Sequence, residues 1–239
     1  MAGHIAILGV FVADTAYRAD RAPKMGETIL GNSFALGPGG KGSNQAVAAA
    51  RAGGKTHFIS KLGRDTFADL AFATWSEAGV IPAVTQTDDG YTGAAYIFVE
   101  EATGNNAIIV CPGAAGTLSP ADVEAQAELI RSASVFVTQL EQPIDAAIRA
   151  LEIAKKGGAM TILNTAPAAD LPREIFALCD YVTPNESEAE AITGIPVTDL
   201  ASAERAARAF LDLGVGAALI TLGEKGALLG TTDGAIHVP

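Results

Sequence analysis

The sequence holds two cysteines in 239 residues, Cys111 and Cys179, too few and too far apart for a disulfide framework or a zinc site. Both read as ordinary buried small residues of a chain kept in a reducing compartment. Positive charge is scarce too: 16 Lys and Arg stand against 27 Asp and Glu, for a formal net charge of −11, and no basic cluster stands out. Such a surface repels phosphodiester backbones and anionic lipid, so neither nucleic acid nor a membrane is an expected partner. A bound anion would need a local pocket. No apolar run approaches the roughly 18 residues of a membrane helix. The N-terminus has no basic region and meets Asp14 soon after its apolar run, which does not suit a signal peptide. The expected location is the cytoplasm.

What the chain does have is apolar material: 49% hydrophobic against 18% charged residues suffices for one large domain or two small ones. It comes as short aliphatic runs separated by Ala-rich amphipathic stretches. Residues 5–10, 56–60, 135–140, 160–163, 181–183 and 217–222 are expected as buried strands. Ser119-Pro120, with Asp122 in the first turn, opens a helix to about Arg131; helix 144–156 stops at Gly157-Gly158, and helix 202–213 at Gly214. This alternation predicts a three-layer, doubly wound α/β fold with a mainly parallel sheet. Two segments break the rhythm. Residues 15–34 have no helical period, and residues 91–110 read as a hairpin turning at 102–106. They are expected to pair as a small β lid over the crevice, which divides the chain into an α/β domain (1–13, 35–90 and 111–239) and a lid (14–34 and 91–110).

Ligands of an open parallel sheet bind beyond the carboxyl ends of its strands. There the sequence places Asp14, Glu141, Asn164, Asn185 and Thr221. Carboxylates, amides and hydroxyls in a row suit a polyhydroxylated ligand, because each of its OH groups both donates and accepts. A second signal is Gly37-Pro38-Gly39-Gly40-Lys41-Gly42-Ser43-Asn44-Gln45, whose glycines let backbone N–H groups approach a ligand at a helix start. It is not a Walker A loop, since position 35 is Ala and Gly42, not Ser or Thr, follows Lys41. A dinucleotide fingerprint fits poorly as well: the first strand lies far upstream, and the next ends in Ser60-Lys61 rather than an acid. Asn185 and Glu188, three apart after Pro184, share a helix face that serves either as a cap or as a seat for hydrated Mg2+ beside phosphates. Thr221-Leu222-Gly223-Glu224-Lys225-Gly226 is either a plain turn or a phosphate-binding one.

Taken together and in order, these residues resemble the ribokinase-type, or phosphofructokinase-B, sugar kinases. The resemblance runs through Gly26-Glu27-Thr28, Gly39 to Ala46, Gln139-Leu140-Glu141-Gln142-Pro143, Asn164-Thr165-Ala166-Pro167-Ala168, Thr183-Pro184-Asn185-Glu186 and Thr221-Leu222-Gly223. It implies transfer of the ATP γ-phosphoryl group to the 5-hydroxyl of D-ribose, with Mg2+, with K+ as activator, and in a homodimer joined through the lid. The implied substrate-binding set is Val12, Asp14, Gly40, Lys41, Gly42, Ser43, Asn44 and Glu141. Asn185 and the segment Thr221, Leu222, Gly223, Glu224, Lys225 and Gly226 would bind ATP, and Glu188 would hold Mg2+ through water.

The chain departs from the family pattern twice. Val12 stands where the family commonly has Asn, which removes an amide contact to the sugar. The family's Gly-Ala-Gly-Asp string, whose Asp is the general base, is expected beyond Pro239. No catalytic base is therefore expected within these residues, a loss of roughly 10²- to 10⁴-fold. The competing readings are a sister kinase for fructose or adenosine, against which the low aromatic content near the site weighs for a nucleoside, and a non-catalytic sugar- or nucleotide-binding fragment.

Overall fold

The aliphatic runs become strands because each is flanked by turn formers and is apolar on both faces, as a strand between two helix layers must be. A computed structural model describes residues 3–239. Along the chain, β1 (Ile5–Leu8), β2 (Val12–Ala19) and β3 (Ser33–Gly39) lead into α1 (Lys41–Arg51), β4 (Thr56–Leu62), α2 (Thr66–Ala78) and β5 (Ile81–Gln86). The hairpin β6 (Thr92–Glu100) and β7 (Asn106–Gly113) follows, then α3 (Pro120–Glu124), α4 (Ala127–Arg131), β8 (Val135–Thr138), α5 (Ile144–Gly157) and β9 (Met160–Leu163). The last part holds β10 (Tyr181–Val182), α6 (Glu186–Thr193), α7 (Leu200–Asp212), β11 (Ala217–Thr221), β12 (Ala227–Thr231) and β13 (Gly234–Val238).

Nine strands form one sheet in the order β13-β12-β11-β10-β9-β8-β1-β4-β5, parallel from β11 to β5 and antiparallel at β12 and β13. Alternate residues of β1 enter two different cores. Ala6 and Leu8 pack with α5, α7 and the short helices through Val123, Ile130, Leu151 and Phe210. Ile7 packs on the opposite face with Phe58, Ala46, Ala68 and Trp75, the contributions of β4, α1 and α2. Helices thus cover both faces of a mainly parallel sheet. No helix among the described residues is long and apolar enough to cross a membrane.

A second sheet has four strands in the order β3-β2-β6-β7. Its outer pairs are antiparallel, but the central pair, β2 with β6, is parallel, in register from Val12 opposite Gly93 to Ala19 opposite Glu100. Its strands reach further than residues 14–34 and 91–110: Val12 and Ala13 already pair with Gly39 and Pro38, and Thr92 pairs with Gly113. The glycine run is accordingly divided. Gly37 to Gly39 end β3, Gly40 caps α1, and the helix begins at Lys41. The stretch expected as one helix from Ser119 to Arg131 is two short ones, because Gln126 leaves the helical conformation (φ −109°). The capping box of Ser119 and Asp122 forms as its residue types require.

Candidate functional site: a cavity and a polar rim

Three elements meet at the carboxyl ends of β1 and β8. Past β1 the chain runs through Val10 into β2, which carries Val12 and Asp14; past β8 comes Glu141; and α1 points its N-terminus between them. Gly40 makes that entry possible. Its φ of 90° suits glycine, and a Cβ there would collide with the Val10 carbonyl. Gly39 has a related task, since any side chain at that position would occupy the place of the Asp14 carboxylate.

A cavity of about 580 Å³ opens where they converge, lined by Val10, Val12, Asp14, Gly40, Lys41, Asn44, Leu140, Glu141 and Pro167, with Ala95, Ile97, Ile108, Val110 and Pro112 from β6 and β7. Six of the eight residues expected at the substrate line it. The other two do not. Ser43 is buried and accepts a hydrogen bond from Trp75 Nε1 at 2.9 Å, while Gly42 lies against Gly9 so closely that a Cβ would sit 2.7 Å from the Gly9 Cα. Both belong to the packing of α1 on the sheet. The missed residues form an apolar roof: Ala95 and Ile97 lie opposite Val110 and Ile108, so one face of the small sheet covers the cavity.

The polar side of the cavity is anionic but buttressed. Glu141 Oε2 accepts the Lys41 backbone N–H at 2.7 Å, which occupies one unpaired donor of the α1 N-terminus. Burial raises the Glu141 pKa above the ordinary carboxylate value; the Lys41 N–H and ammonium oppose that rise, and the charge of Asp14 adds to it. Burial also raises the pKa of Asp14. Two partly desolvated carboxylates, a Lys, an Asn and a helix start make a set of acceptors and donors that suits adjacent hydroxyl groups.

The residues expected at nucleotide and metal gather at the next strand ends of the same rim. Asn185 caps α6: its Oδ1 accepts the Glu188 N–H at 2.8 Å, and Glu188 Oε2 accepts the Asn185 N–H at 3.1 Å. Asn185 Nδ2 also donates to Glu188 Oε1 at 3.1 Å, and Thr165 Oγ1 donates to Oε2 at 3.4 Å. These donors use about three of the roughly four acceptor positions of the carboxylate. Glu188 therefore fits water-mediated contact with Mg2+, which prefers to keep its waters. Among the described residues no group of three or more His, Cys, Asp or Glu could cage a metal directly.

Thr221 ends β11, with its N–H on the Pro184 carbonyl at 2.9 Å. The turn after it closes through Leu222 N–H to the Gly226 carbonyl at 2.8 Å. Leu222 is buried, whereas Gly223, Glu224 and Lys225 are exposed, and Lys225 Nζ donates to the Thr198 carbonyl at 3.1 Å. Gly223 faces Glu186 Oε1 at the start of α6. From β1 to β10 the rim crosses three strand spacings, roughly 14 Å. Asn164, at the end of β9, bridges part of that distance by donating to the Thr183 carbonyl at 2.8 Å.

Residues 3–239 match the family described as pfkB family carbohydrate kinase. The bifunctional ribokinase/ribose-5-phosphate isomerase A of Fructilactobacillus sanfranciscensis is 40% identical over 98% of this chain, which spans 44% of that protein's length. The deoxyribokinase of Salmonella typhi is 38% identical over 98% of this chain and 77% of its own. The structure of Arabidopsis thaliana ribokinase complexed with ribose and ATP superposes with a TM-score of 0.91 at 29% identity, covering 100% of this chain and 78% of that one.

Proposed function

The chain belongs to the pfkB family of carbohydrate kinases, and from that premise we propose that it transfers the γ-phosphoryl group of ATP to O5 of D-ribose, giving D-ribose 5-phosphate. One observation carries the reading: Asp14, the segment Gly40, Lys41 and Asn44, and Glu141, three separate stretches of the chain, line a single cavity of about 580 Å³, ample for a pentose. Asp14 and Glu141 accept from sugar hydroxyls, Lys41 and Asn44 donate to them, and the apolar side chains of Ala95 and Ile97 offer the sugar no competing hydrogen-bond partner on the opposite wall. ATP lies along the rim over Asn185 and the turn from Thr221 to Gly226, where the Gly223 and Glu224 backbone amides, not used within the turn, meet its phosphates. Glu188 and Asn185 would hold hydrated Mg2+ through its waters, and the ion would supply neutralising charge for the phosphates. The general base is assigned to neither Asp14 nor Glu141, and the Gly-Ala-Gly-Asp string is not within residues 1–239.

A second reading, 2-deoxy-D-ribose, is favoured by one residue. Val12 lines the cavity where an amide is common in the family, and an apolar wall leaves a substrate hydroxyl without a partner. One experiment separates the two. Purified enzyme is assayed at fixed ATP and Mg2+, in K+ and then in Na+, with D-ribose, 2-deoxy-D-ribose, fructose and adenosine. Highest kcat/KM on ribose supports the first reading, highest on deoxyribose the second, and preference for fructose or adenosine overturns both.

The proposal extends to a second copy of the chain and to a cytoplasmic location. The face of the small sheet turned away from the cavity carries Tyr17, Phe34, Leu36, Tyr96 and Ile109, each at least 38% exposed. Tyr17 lies 5.1 Å from Phe34 and 5.5 Å from Tyr96 between ring centroids. A contiguous apolar face of this kind marks an interaction surface, and its place on the lid suits the homodimer implied by the family resemblance.

A further inference from the structure

Gln139 has no part in the site described above, yet it is fully buried two residues before Glu141. Its amide lies in a slot that exists only because two glycines line it. A Cβ on Gly42 would come within 2.7 Å of Gln139 Oε1, and one on Gly9 would overlap it. From this slot Nε2 donates to Gln45 Oε1 at 2.5 Å, in the second turn of α1. Oε1 has no hydrogen-bond partner among the described residues. A buried amide left half-satisfied is a costly filler where an apolar side chain would pack without penalty. The N–H bond to Gln45 is thus the feature that an apolar residue could not supply.

The loop bearing Gln139 is itself tied down. Gln142 Nε2 donates to the Gln139 carbonyl at 2.5 Å and to Thr138 Oγ1 at 2.8 Å, and the Leu140 N–H reaches the Ala166 carbonyl at 3.0 Å. From this fixed base the loop grips α1 twice, at Lys41 through Glu141 and one turn later at Gln45 through Gln139. One contact leaves a helix free to pivot. Two contacts a turn apart fix both its tilt and its rotation.

We propose that Gln139 and Gln45 are a positioning pair, which locks the first turns of α1 against the β8 loop and so holds Gly40, Lys41 and Asn44 at the spacing from Asp14 and Glu141 that the sugar requires. This inference rests on the sugar-kinase reading of the cavity. Neither residue lines the cavity, so the pair acts through the groups that do.

The test is a double-mutant cycle in the full-length enzyme with Gln139→Met and Gln45→Met, which keep side-chain length and remove the amide. Each single variant is expected to raise the sugar KM about tenfold, with the ATP KM unchanged and kcat within about twofold, because a small misplacement of binding groups is costly. The double variant is expected to match the singles, since the same bond is lost in each. Thermal unfolding is expected to show no loss of Tm for Gln139→Met, because the unpaired Oε1 leaves with the amide. Unchanged sugar KM in the singles, equal rises in the sugar and ATP KM values, or additive effects in the double variant each overturn the pair while leaving the sugar reading intact. Wild-type enzyme inert on every sugar overturns that reading, and the pair with it.

Discussion

Asp14 and Glu141 share one cavity, and burial raises the pKa of both. An acid whose pKa is higher folded than unfolded costs stability in its ionised form; the cost is fully present above the folded pKa and disappears as pH falls through it. Glu141→Gln, which keeps an acceptor for the Lys41 N–H, is therefore expected to raise Tm at neutral pH. It is expected to lower kcat/KM for the sugar by roughly 10- to 10²-fold, the worth of a charge-assisted hydrogen bond. A fall in both quantities would contradict the assignment. The acid limb of the wild-type sugar kcat/KM should lie above the usual carboxylate range. In Asp14→Asn it should move to lower pH, because the Asp14 charge helps to raise Glu141. The polar members of this set could be read from the sequence, Glu141 as the polar residue past an apolar run and Lys41 and Asn44 from the glycine run at a helix start; Asp14, expected past the first strand, instead lies within β2. Ala95, Ile97, Ile108 and Val110 could not, because an apolar residue lining a cavity has the same sequence pattern as one in a core. Ser43 misled for the opposite reason: a hydroxyl beside a glycine run looks like a ligand group, but its partner, Trp75, is 32 residues away.

Among the elements, α6 shows how one carboxylate serves two ends. Glu188 completes the capping box with Asn185, so it stabilises the helix start while keeping one lone pair for solvent or a hydrated cation. Gln also completes a capping box, but its NH2 would face the Asn185 Nδ2 donor, so Glu188→Gln is expected to fold with a Tm lowered by several degrees. Its dependence of rate on Mg2+ concentration should shift to higher concentration. Identical Mg2+ profiles for the two proteins would remove Glu188 from the metal. Strands of the parallel sheet were legible because both of their faces are apolar. β5 and α2 were not picked out, and β5 is mostly exposed or half-buried at the sheet edge. The break between α3 and α4 carries neither Gly nor Pro, so no local signal announces it.

For the molecule as a whole, the outward face of the small sheet departs from an acidic, polar exterior. Ile109→Lys together with Tyr96→Lys places two charges side by side on that face, across the β6–β7 pair, without touching the cavity face. Sedimentation is expected to show a dimer for the wild type and a monomer for this variant; a wild-type monomer, or a variant that stays dimeric, would refute the assignment of that face. The layered fold was legible from alternation alone, whereas the roof was only partly so, because its central pairing joins segments distant in the chain. Thr15 Oγ1 donates to the Ala95 carbonyl across 80 residues. That pairing gives the roof a shared fate. Neither hairpin makes a four-stranded roof alone, so the ladder of β2 against β6 both sets Ala95 and Ile97 over the cavity and gathers Tyr17 and Tyr96 on the outward face. A change that loosens this one ladder therefore weakens the sugar site and the outward surface together.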